Sequence, residues 1–121
     1  MRALVFIGSE IIERDGAALK LYEEFKDKAG VIYAGISPEN YLGVLEEFDE
    51  ILFVDSADTD GAELMDGDEI SPEPYLTHSP PLTLIAEYLK MRGKKVLFLG
   101  VGSSSEALKK AEDLIKMFMG I

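Results

Sequence analysis

Ile51-Leu52-Phe53-Val54-Asp55-Ser56 decides the fold of this chain. Four apolar residues run without alternation and then meet a carboxylate. A strand with one wet face alternates apolar and polar side chains; an unbroken run bounded by polar residues suits a strand covered on both faces of a largely parallel sheet. Three more runs of the same kind, Ala3–Ile7, Val31–Ala34 and Val96–Leu99, predict partner strands. Between them apolar residues recur at helical spacing: Ala18, Leu21, Tyr22 and Phe25; Tyr41, Val44, Leu45 and Phe48; Leu82, Ile85, Ala86 and Leu89; Ala111, Leu114, Ile115 and Phe118.

Helix punctuation agrees with these stripes. Ser37-Pro38 and Ser79-Pro80 each read as an N-cap followed by a proline in the first turn, where no N–H is required. Ser103 with Glu106 matches a capping box, and Gly93 stands where the third helix needs a left-handed end. The order is strand–helix–strand–helix–strand, an irregular stretch, then helix–strand–helix. Such alternation predicts an α/β domain with helices on both faces of the sheet. A short edge strand is expected near residues 63–70. No internal repeat or linker appears, so residues 1–121 are read as a single domain.

Composition removes several functions. Twelve basic against 23 acidic residues leave a net charge of −11, which argues against nucleic acid and anionic lipid as partners. There is no cysteine, so thiol catalysis, disulfides and cysteine-ligated metals are excluded. No apolar stretch approaches the roughly 20 residues of a membrane helix, so no membrane insertion is expected. The reading is an acidic cytoplasmic protein.

In open α/β sheets, ligands collect beyond the carboxyl ends of the strands. Three candidate residues fall there: Asp15 after the first strand, Asp55 at the end of the third, and His78 before the third helix. Two carboxylates and an imidazole form an N/O set suited to a borderline divalent metal such as nickel or zinc. Each also has a plainer reading. Asp15 can cap a helix, His78 can be a loop residue between prolines, and only Asp55, closing an apolar strand, demands hydration, a partner or a function.

Weaker signals are the eight acidic side chains of residues 55–73, with no Lys or Arg among them, and Gly100-Val101-Gly102-Ser103-Ser104. The first fails as a calcium loop and reads as solvated surface or a dock for a basic partner. The second lacks a nucleotide-binding glycine pattern and reads as a turn and cap. A phospho-receiver is disfavoured, because Ser9-Glu10 supplies at best one acid and Gly100–Ser105 contains no Lys.

The whole pattern resembles the hydrogenase maturation endopeptidases, which process the large subunit of NiFe hydrogenases. The family's Gly-Asn-x-Leu-x-x-Asp-Asp/Glu-Gly is similar to Gly8-Ser9-Glu10-Ile11-Ile12-Glu13-Arg14-Asp15-Gly16. Its Gly-x-x-Pro-Glu-Asn resembles Gly35-Ile36-Ser37-Pro38-Glu39-Asn40, and its strand ending in Asp-Ala resembles Ile51–Ser56. Thr77-His78 with Leu82–Leu89, and Phe98-Leu99-Gly100-Val101, complete the series in order. Three positions depart from it: Ser9 replaces Asn, Arg14 replaces the first acid of the pair, and a proline is missing after Gly100.

The resemblance implies a three-layer αβα sandwich around a twisted five-stranded sheet. It implies that Asp15, Asp55 and His78 form the metal-recognition and catalytic site. The nickel is then carried by the precursor of the hydrogenase large subunit and is no resident cofactor. The implied activity is removal of the precursor's C-terminal extension; a non-catalytic nickel-binding or scaffold protein of the same fold is the alternative.

Overall fold

The computed structural model describes residues 1–8, 16–66 and 79–121. Five strands form one sheet in the order β2-β1-β3-β5-β4: β1 (Arg2–Ile7), β2 (Val31–Gly35), β3 (Glu50–Ser56), β4 (Ala62–Asp66) and β5 (Lys95–Val101). The first, second, third and fifth strands run parallel, in the register Val5↔Phe53↔Phe98 through the centre. Only β4 is antiparallel, lying against β5 with Ala62 opposite Val101.

Both faces of β1, β3 and β5 are covered, which is why these strands carry no polar alternation. Helices α1 (Gly16–Phe25) and α4 (Ser105–Met119) pack Ala17, Leu21, Phe25, Ala111 and Ile115 on Leu4, Phe6, Leu52, Val54, Leu99 and Val101. On the other face, α3 (Ser79–Met91) lays Leu82, Ile85, Ala86 and Leu89 on Val5, Ile51, Phe53 and Phe98, which stack Phe53 on Phe98. The predicted α/β sandwich is the observed one, and the predicted apolar stripes of α1, α3 and α4 face the sheet.

The second helix differs from its prediction. Pro38–Tyr41 form a 3₁₀ turn, followed by only one α-helical turn, α2 (Leu42–Leu45). Ser37 makes no capping hydrogen bond, and Gly43 interrupts a stretch too short to propagate a helix by itself. Tyr41, Leu42, Leu45 and Phe48 still reach the core, while Val44 of the expected stripe is exposed.

Two end signals are also refined. The N-cap of α4 is Ser104, whose Oγ accepts from the Ala107 N–H at 3.0 Å. Ser103 is not the cap, so Glu106 falls one position short of the capping box. Gly93, with φ of +83°, ends α3 as predicted: its N–H bonds to Lys90 O at 2.9 Å and the Lys94 N–H to Leu89 O at 3.0 Å. The expected edge strand exists as Ala62–Asp66; residues 67–70 of that expectation lie outside the described residues.

Candidate functional site

Asp55 lies near the carboxyl end of β3, where the sequence places it. Its register partner on β5 is Gly100, which is a strand residue too and no part of a turn. The carboxylate is 1% exposed. A carboxyl group so enclosed must be partnered, and no side-chain oxygen or nitrogen among the described buried groups lacks a hydrogen-bond partner. Alternation along the strand sends Ile51, Phe53 and hence Asp55 to the α3 face. Gly100 leaves the neighbouring position on that face without a side chain.

Ser56, 2% exposed, points to the opposite face, and its Oγ accepts from the Ala18 N–H at 3.2 Å. That N–H belongs to the first turn of α1, where helix geometry supplies no acceptor. A hydroxyl on β3 thus does the work of an N-cap and holds the start of α1 at the carboxyl edge of the sheet. The strand side of the same connection is held by Gly8, whose N–H bonds to Gly35 O at 2.9 Å and whose carbonyl accepts from the Tyr33 hydroxyl at 2.5 Å.

The start of α3 reaches the same edge by a different route. Lys95 N–H bonds to Asp49 O at 3.0 Å, so the helix ends where the parallel strands begin. Its 13 residues then span about 20 Å, nearly the height of the sheet, and return its first turn to the carboxyl edge. Asp15 and His78, the residues preceding α1 and α3, lie outside the described residues. Of the predicted trio, Asp55 alone is located. Among the described residues, no three His, Asp or Glu side chains stand close enough to hold a metal ion.

Ser56 and Tyr33 are positioning residues that the sequence motifs do not single out. A serine following an aspartate at the end of an apolar strand was a visible signal for the first. Nothing local marked Tyr33, whose partner is 25 residues away. A recess of about 500 Å³ opens at the other edge of the sheet, beside Met1, Arg2, Phe48 and Glu50. Its rim charges pair within the chain, the N-terminal amine with Asp49 and Arg2 with Glu50, each at 2.7 Å.

The five-stranded sandwich defines a fold class, and comparison with solved structures names it. The chain has the fold of the hydrogenase maturation endopeptidases, the family its sequence motifs resemble. It is similar to the endopeptidase HycI from Escherichia coli, at 25% identity and a TM-score of 0.73, over 99% of this chain and 90% of that one. The NiFe hydrogenase maturation protease HybD from Thermococcus kodakarensis superposes with a TM-score of 0.75 at 20% identity, covering 97% and 98% of the two chains. HybD from Escherichia coli gives 0.71 at 15% identity, over 97% and 91%. No protein-family model and no curated protein sequence matches the chain.

Proposed function

We propose that this protein is a peptidase of hydrogenase maturation, which recognises nickel in the precursor of a NiFe hydrogenase large subunit and removes its C-terminal extension. The observation that carries the reading is Asp55: a buried carboxylate at the carboxyl edge of the central strand, in a chain whose structural neighbours are named hydrogenase maturation endopeptidases. The fold supports the active-site position, because strand ends and helix starts meet at this edge.

In this reading Asp15, Asp55 and His78 are ligands offered to nickel already seated in the precursor. An N/O set of three is modest, which suits reversible inspection of a metal whose other ligands the precursor supplies. Peptide hydrolysis adds water across the scissile amide: the water oxygen attacks the carbonyl carbon as a base takes its proton, and the C–N bond then breaks as that proton passes to the departing amine. A carboxylate of the trio is the base proposed here.

The test is cleavage of nickel-loaded precursor. The unmodified protein should release the C-terminal peptide, and nickel-free precursor should stay intact. His78→Ala and Asp55→Asn should each lower the rate by about a hundredfold or more, with circular dichroism unchanged. Stable association without cleavage, using a precursor processed by its own protease, would move the protein to the non-catalytic alternative.

A further inference from the structure

β4 is the last strand of the sheet, and among the described residues it pairs with β5 alone. The phase of that ladder follows from one bond. Gly102 N–H donates to Gly61 O at 2.8 Å, which makes Gly61 and Gly102 a hydrogen-bonded pair. Antiparallel ladders alternate, so Glu63 and Met65 also turn their backbone groups toward β5, while those of Ala62 and Leu64 point away from it. The β5 side agrees: Val101, opposite Ala62, uses its carbonyl toward β3, accepting from the Ala57 N–H at 2.9 Å. Leu64 therefore presents both an N–H and a C=O outward, with a side chain that is 47% exposed.

A strand edge left unpaired among the described residues accepts another strand, and charge decides which. Residues 57–66 carry Asp58, Asp60, Glu63 and Asp66 and no Lys or Arg. A second copy of this chain, itself at −11, is repelled by such an edge. An extended basic segment is attracted to it. β2, at the opposite edge, runs Val31-Ile32-Tyr33-Ala34-Gly35 and offers no countercharge. Register also ties β4 to the candidate site, since Glu63, Gly100 and Asp55 lie in one row across the sheet.

We propose that β4 is a docking edge for an extended peptide segment carrying Lys or Arg, which adds to the sheet as a further strand through the outward N–H and C=O of Leu64. That the segment comes from the precursor rests on the function proposed above; the docking itself does not. Strand addition beside the row that holds Asp55 would fix a flexible chain in an extended form near the carboxyl edge of the sheet.

The probe is a short end-blocked peptide of alternating lysine and valine, titrated into the full chain by NMR at low salt, with neither nickel nor precursor present. The expected result is binding that weakens with salt, shifts the Glu63–Met65 amides and slows hydrogen exchange at the Leu64 N–H. Leu64→Pro removes that donor without touching the β4–β5 ladder and should weaken binding by about threefold to tenfold, whereas Leu64→Ala should not. Glu63→Lys should weaken it as well, and tests the proposal even if the proline variant does not fold. Absence of binding, equal binding of the same peptide with glutamate for lysine, or an unchanged Leu64 amide on binding would overturn the proposal. So would a dimer in sedimentation that Leu64→Pro abolishes, because the edge would then belong to a second copy. Failure here with intact nickel-dependent cleavage leaves the maturation reading standing, and the reverse result separates the two in the other direction.

Discussion

Ser56 shows how one hydroxyl can couple two elements. Its Oγ satisfies the Ala18 N–H across 3.2 Å, in a place where both groups are buried. Ser56→Ala strands that donor, and a lost cap typically costs about 1 kcal/mol. Urea unfolding should show a lowered midpoint with an unchanged slope. Glu24 and Glu112 form a second residue-scale coupling, between α1 and α4. Burial first, then the charge and hydrogen bond of Glu112, raise the Glu24 pKa above 4.5, while Lys116 and Lys109 pull against this. The folded state therefore binds this proton more tightly than the unfolded chain, and ionising Glu24 removes stability as pH rises through its raised value. Glu24→Gln should melt slightly higher than the unmodified protein at neutral pH. The advantage should vanish below about pH 4.5, where Glu24 is protonated in both states. Calorimetry across that range checks the sign. Glu112 runs the other way: its hydrogen bond from Lys116 holds its pKa below 4.5, so its contribution is present above that value and is lost as pH falls.

At the scale of elements, two glycines close different junctions for different reasons. Gly93 ends α3 in the left-handed region, but a Cβ there would meet nothing within 4 Å, so Gly93→Ala bears only backbone strain, about 1 kcal/mol. Gly102 follows β5, and its added Cβ would fall 2.2 Å from Thr59 O and 3.2 Å from Gly61 O. Gly102→Ala must push the 57–61 connection away and disturb the first pair of the β4 ladder. Its loss of stability should be at least double that of Gly93→Ala, read as the difference between the two unfolding midpoints. The spacing of Leu82, Ile85, Ala86 and Leu89 was enough to assign the buried face of α3, because that face meets one flat apolar surface. The same spacing over Tyr41–Phe48 predicts a helix where the chain forms less of one: apolar spacing reports which side chains turn inward, and a 3₁₀ turn with one α-turn satisfies it too.

For the whole molecule, cooperativity should follow the order of the sheet. β1, β3 and β5 contribute side chains of 0–2% exposure, including Phe6, Phe53 and Phe98, to cores on both faces. Native-state hydrogen exchange should place the ladder amides of β3 in the slowest class, exchanging only by global unfolding. β4 and α2, with exposed Glu63, Leu64 and Val44, should open locally and earlier. Equal protection of β4 and β3 would contradict this ranking.

The sequence by itself determined the four parallel strands, three of the four helix faces, the α/β class and Asp55 as the carboxylate needing an explanation. These are local patterns: a residue's own neighbours record whether its strand is covered on one face or two. Its motifs also pointed to the family whose fold the solved structures share. Only the tertiary structure decided the strand order, the reversal of β4, the enclosure of Asp55 beside Gly100 and the use of Ser56 as a remote cap. Each of these joins residues far apart in the chain, and a pairing of that kind leaves no periodicity in either partner. For Asp15 and His78 the sequence supplies their place beside α1 and α3, the two helices whose starts meet the carboxyl edge of the sheet.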